Sequence, residues 1–292
     1  MKRADKKLTE HYIAFVAKRS EESRASCADF DRKNAQCVTR LASRGVTTIP
    51  KLIAALPDLS SKLKGFGIWW LAVTKTRRGE NVLLRMLHDD PPFRLSCAAT
   101  LSSIGGPRSA REFIRIGKAQ LASSSPDRKW LEAVIYGLKL FDAPREAANV
   151  LLTIYERTDL PGWLRGNAGD AMGFCSPLQD RRTSFFRRAW TTALNGLDHT
   201  DIEVQFWSMY VIMQLAQNDS SNRKRSNACF AAALPRLREI AATDHRLAPG
   251  YWWPMSAEAE DAIYVIKHGN GRENDAGERW LGNKERGPMI RE

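Results

Sequence analysis

Apolar residues recur at spacings of three and four along nearly the whole stretch from Leu8 to Lys267, and runs of strict alternation flanked by hairpin turns are absent. That period gathers apolar side chains on one side of an α-helix, so the chain is expected to be all-α. Short polar breaks punctuate it: Pro57-Asp58, Asp89-Asp90-Pro91-Pro92, Gly105-Gly106-Pro107, Ser123–Asp127, Asp142-Ala143-Pro144, Asp159-Leu160-Pro161, Asn195–Asp201 and Asn218–Asn222. Their spacing predicts helices of about four turns joined by tight connections.

One helix type repeats, with an apolar residue, small residues mid-helix and another apolar residue eight positions on. The clearest copies are Phe93–Gly105 (FRLSCAATLSSIG) and Leu164–Gly173 (LRGNAGDAMG). The same frame fits Leu63–Leu71, Trp130–Leu138, Val204–Ile212 and, less closely, Ala257–Val265. An amphipathic helix precedes each copy: Pro50–Leu56, Asn81–Leu87, Ala110–Leu121, Arg145–Glu156, Arg182–Leu194 and Arg225–Ala241. Two helices per step make a helical-hairpin repeat, and small residues such as Ala98, Ala168, Gly169 and Ser208 permit stacked hairpins to approach closely.

These residues resemble the HEAT-repeat superfamily, particularly its short bacterial, bilin-lyase-type form, over about Thr48–Gly269. Two details carry the resemblance further: Asp159 stands six residues before Arg165, as in the Asp/Arg ladder of such arrays, and Pro235 in ALPRLREI matches a proline that bends the first helix. The resemblance implies an α-solenoid of about six hairpins. Residues 1–47 form an N-terminal helical cap, 48–269 the array, and 270–292 a tail expected to be largely disordered. The last repeat step is long, which implies an insertion around Asp244–Pro254.

Composition narrows the setting. With 45 Lys+Arg, 33 Asp+Glu and 43% hydrophobic residues, the chain is neither disordered nor membrane-embedded. The N-terminal segment lacks the apolar stretch of a secretory signal, and no run approaches the roughly 20 residues of a membrane span. Five scattered cysteines without a CxxC pair, and five histidines without ligand spacing, suggest a reducing cytoplasm and no metal site. No GxSxG, P-loop, dinucleotide fingerprint or HExxH occurs, and no cofactor is implied.

The +12 formal charge is uneven. Residues 1–130 hold 25 basic and 12 acidic side chains, residues 131–292 hold 20 and 21. The six second helices run from basic to acidic, whereas a groove following a polyanion should be basic throughout. The reading that follows is a non-enzymatic scaffold that takes a protein or peptide on the concave, second-helix face. Alternatives implied by the resemblance are nucleic-acid binding of the HEAT-like DNA glycosylase type through the basic N-terminal third, and a bilin-lyase-like activity. Candidate partner-binding residues are Lys62, Lys64, Trp69, Trp70, Arg94, Arg128, Lys129, Arg165, Trp252 and Trp253. Trp69 and Trp70 differ by about 100° around a helix and cannot share one stripe. Trp252-Trp253 sits between prolines as an aromatic platform, and Asp170 is a candidate acid or base, or an ordinary acidic position beside Arg165.

Overall fold

The computed structural model describes residues 8–22, 28–139, 145–173, 175, 182–218, 228–250, 253–268, 272–273 and 279–280. Among these residues lie fourteen α-helices: α1 (Leu8–Glu22), α2 (Ala28–Ser43), α3 (Ile49–Ala55), α4 (Ser61–Val73), α5 (Glu80–Asp89), α6 (Arg94–Ile104), α7 (Pro107–Ala122), α8 (Arg128–Leu138), α9 (Arg145–Glu156), α10 (Gly162–Met172), α11 (Ser184–Gly196), α12 (Ile202–Asn218), α13 (Leu234–Thr243) and α14 (Met255–His268). The remaining regular structure is 3₁₀ turns and a two-residue antiparallel ladder, Arg272–Glu273 against Arg279–Trp280. Apart from that ladder, the tail at 270–292 lies outside the described residues. None of the described helices is long and apolar enough to cross a membrane.

The helix ends follow from local chemistry. Thr48, Asp127 and Thr183 accept hydrogen bonds from backbone N–H groups in the first turns of α3, α8 and α11, satisfying donors that a helix start leaves over. Pro235 stands in the first turn of α13, after a 3₁₀ stretch at Ala228–Ala233. There its missing N–H costs nothing, so it starts the helix and does not bend its middle. Helices α2 and α4 end alike. Val46 N–H donates to Leu41 O and Gly45 N–H to Ala42 O; Thr76 N–H donates to Leu71 O and Lys75 N–H to Ala72 O. Each is a Schellman turn, which needs a left-handed residue. Gly45 fills that place with φ 78°, but Lys75 does so with φ 49°.

The chain divides into two compact units, Met1–Ser109 and Ala110–Glu292. In the first, α1 packs on α2, α2 on α4, α4 on α6 and α5 on α6. Tyr12 of α1 meets Phe66 and Trp70 of α4 at ring distances of 6.2 and 5.5 Å, and Phe66 stacks on Trp70 at 6.0 Å. The expected N-terminal helices are therefore part of this unit's core.

In the second unit, α9 packs on α10, α11 on α12 and α13 on α14, and α10, α12 and α14 follow one another as neighbours, with α8 beside α10. Glycines permit the close crossings. A Cβ on Gly137 of α8 would lie 2.5 Å from Phe113 of α7, and one on Gly117 of α7 would lie 2.6 Å from Val150 of α9. Gly166 and Gly169 of α10 likewise abut Trp207 and Val211 of α12. Where the insertion was expected, Leu247 and Pro254 form a bridge and Ala248 N–H donates to Trp253 O at 2.9 Å; residues 251 and 252 lie outside the described residues.

Candidate functional site

Helices α10 and α12 are buried on most sides, Arg165 of α10 included. On each, what stays accessible falls on one stripe. In α10 it is Trp163, Asn167 and Asp170; in α12 beyond its first turn, Trp207, Tyr210, Gln214 and Gln217. Beyond its first turn α8 offers Glu132 and Tyr136, followed by Lys139, and α14 offers Ala257, Glu260, Tyr264 and Lys267 among its accessible positions. These residues are three or four apart, so each set is one row along its helix.

The rows of three helices are tied side by side. The Lys139 ammonium pairs with Asp170, Tyr210 O–H donates to the other Asp170 oxygen at 3.0 Å, and Gln214 Nε2 donates to Tyr210 at 3.1 Å. Trp207 meets Tyr210 edge-on at 5.5 Å. Glu203 is also accessible but turns its carboxylate to the start of α10, where Trp163 N–H donates to it at 3.0 Å. An anion at a helix N-terminus satisfies a leftover donor and opposes the helix dipole favourably. The tied rows therefore combine half-buried aromatic rings with the Lys139–Asp170 ion pair.

The expected pair of Asp159 with Arg165 does not form. Arg157 pairs with Asp159 and also donates to Leu121 O at 3.2 Å. Arg165 is buried and donates to Tyr155 O at 3.0 Å, so it does not hold Asp170. Arg236 donates to Leu197 O at 3.4 Å and pairs with Asp198 at 3.0 Å. Arg188 reaches Glu156 and Asn149. Thus arginines satisfy carbonyls just past the ends of α11 and near the end of α7, a role that suits cations at helix C-termini.

The other sequence candidates fall in separate places. Lys62 is exposed, and Lys64 pairs with Asp90 at 2.5 Å while lying over the Phe93 ring. Arg94 donates to Leu87 O at 3.3 Å. Trp70 is 1% exposed in the aromatic core, whereas Trp69 is half-buried beside Phe15 and Phe66. Arg128 and Lys129 are exposed at the start of α8. Trp253 is half-buried and donates Nε1–H to Glu258 at 2.9 Å; Trp252 lies outside the described residues. Tyr136, Lys139, Tyr210 and Gln214 were not among the candidates. Their signal was present as lone polar or aromatic residues at helical spacing inside otherwise apolar helices.

Charge separates the two units. Residues 1–109 carry 20 Lys+Arg against 10 Asp+Glu, a net +10, and residues 110–292 carry 25 against 23, a net +2. Burial pushes the Cys97 thiol up to about 12, with Asp90 adding to the effect, and burial alone does the same for Cys175. Such thiols do not act as nucleophiles near neutral pH. Among the described residues no group of three His, Cys, Asp or Glu could hold a metal ion. No protein-family model, curated protein or solved structure matches the chain.

Proposed function

We propose that the chain is a HEAT-like α-solenoid whose second helices, α8, α10, α12 and α14, present one face that binds a segment of a partner protein. The observation that carries this reading is the row-by-row alignment of accessible positions, tied across three helices by Lys139, Asp170 and Tyr210. Tyr136, Trp163, Trp207, Tyr210 and Tyr264 supply aromatic area with polar tips, the composition that protein-binding surfaces favour. The charged groups on these rows are Glu132, Lys139, Asp170, Glu260 and Lys267, too balanced to follow a polyanion but suited to orienting a peptide.

The test is affinity capture from the native host with the full chain as bait, comparing the wild type with Asn167→Arg. Asn167 is half-buried mid-row, so arginine there obstructs the face from outside the core. A protein recovered stoichiometrically with the wild type and lost with Asn167→Arg supports the reading. Recovery of nucleic acid alone, or a protein held equally by both baits, overturns it.

A further inference from the structure

The first unit holds a second feature, independent of the second-helix face. Two connections lie side by side there: Thr74–Gly79, between α4 and α5, and Gly105-Gly106, between α6 and α7, continued by Pro107 and Arg108 at the start of α7. Three cross-links hold them. Lys75 Nζ donates to Ser103 Oγ at 3.3 Å, Arg108 donates to Asn81 Oδ1 at 2.6 Å, and Glu80 Oε1 accepts from Gly106 N–H at 3.0 Å and from Ser109 N–H and O–H at 3.2 and 2.6 Å. The carboxylate at this edge is thereby occupied, while Arg77 and Arg78 are exposed and form no ion pair among the described residues.

Lys75 makes the edge notable. It occupies the left-handed position of a Schellman turn, where the equivalent turn after α2 has Gly45. A residue with a side chain is strained there. The side chain placed there reaches back to Ser103 of α6. Here it adds an ammonium to a row that already holds Arg77, Arg78 and Arg108.

We infer that this edge docks the phosphate backbone of a duplex nucleic acid. The Arg77 and Arg78 guanidinium groups, which have no carboxylate partner among the described residues, match phosphodiester oxygens in geometry as well as charge. The exposed turn residues, Lys75, Arg77, Arg78, Pro107 and Arg108, include no large apolar side chain to enter a lipid interface. The +10 charge of the unit supplies the long-range attraction that brings a polyanion to the edge.

The experiment is fluorescence anisotropy of the full chain with a 20-base-pair duplex DNA of arbitrary sequence, titrated across salt. Four phosphate contacts give a slope of log K against log salt of about −4. Arg77→Gln with Arg78→Gln should weaken binding about tenfold or more and flatten the slope by about 2. The charge-matched control, Arg40→Gln with Arg44→Gln on and just after α2, should change affinity less than about threefold. Lys75→Gly separates fold from contact, because it should raise the melting temperature yet flatten the slope by about 1. Equal losses in the two double variants, no duplex binding at low salt, or binding to phosphatidylserine vesicles but not to the duplex would each overturn the inference.

Discussion

Gly137→Ala is the sharpest probe of how closely the helices approach. A Cβ at this position would stand 2.5 Å from both Cε1 and Cζ of Phe113, a ring that is fully buried. Carbon atoms pack at about 3.5–4.0 Å, so the methyl overlaps the ring by about 1 Å or more. Overpacking of this kind costs about 1–3 kcal/mol, and the ring cannot yield by rotating one flexible end. In an open helix the same change would stabilise by about 1 kcal/mol through helix propensity. With an overlap of this size the upper end of the packing cost applies, so we expect a net loss of about 2 kcal/mol. Urea unfolding followed by circular dichroism at 222 nm measures it. Phe113→Ala removes all three ring atoms that the methyl would meet, Cδ1, Cε1 and Cζ, and by itself should cost about 3–5 kcal/mol. In that background Gly137→Ala keeps only its helix-propensity gain of about 1 kcal/mol, giving a coupling energy of about 3 kcal/mol. Stabilisation by Gly137→Ala in the wild-type background would show that α7 and α8 do not approach this closely, and would refute the packing.

Three other outcomes follow from single sites. Burial opposes ionisation of Glu80, but its bonds to Ser109 and Gly106, with Arg108 nearby, outweigh it and hold the carboxyl below its ordinary 4.5. Its stabilisation is thus complete above about pH 4.5 and is lost as pH falls through the lower folded value. Glu80→Gln should flatten the stability profile in that acid range, and Glu80→Ala should cost about 2–3 kcal/mol at pH 7 because Ser109 is fully buried. Trp70 Nε1 is buried with no hydrogen-bond partner among the described residues, so Trp70→Phe should change stability by less than about 1 kcal/mol, the lost volume being offset by removal of a stranded donor. A loss of several kcal/mol by denaturant titration would contradict that. Cys97 and Cys175 should resist alkylation at pH 8 in the native protein and react on denaturation, as peptide mapping by mass would show.

Much of the fold was legible because period and punctuation agreed. Arg145–Glu156 is helical from end to end as the pattern required, and the six motifs map onto α4, α6, α8, α10, α12 and α14, Phe93–Gly105 overrunning α6 by one residue at each end and Leu164–Gly173 overrunning α10 by its last residue. Partner choice was less legible. Asp159 sits near Arg165 in sequence, yet Arg165 turns inward to Tyr155 O and Arg157 takes the carboxylate. Asp159 stands in the turn between α9 and α10 while Arg165 lies within α10, so nearness in sequence did not decide the pair. Lys139 and Tyr210 are 31 and 40 residues from Asp170, and only the packing of three helices brings them together. The aromatic pair Trp69-Trp70 did split between half-buried and buried environments, as a 100° turn per residue demands.

The most direct test of the proposed binding face is site-specific photo-crosslinking in the native host. A photoreactive residue is placed singly at Asn167 or Gln217 on the second-helix rows, and at Asn149 or Arg187, exposed on first helices. One and the same protein should be captured from Asn167 and Gln217 and not from Asn149 or Arg187. Capture of that protein equally from all four positions, or of nucleic acid from the second-helix positions, would contradict it.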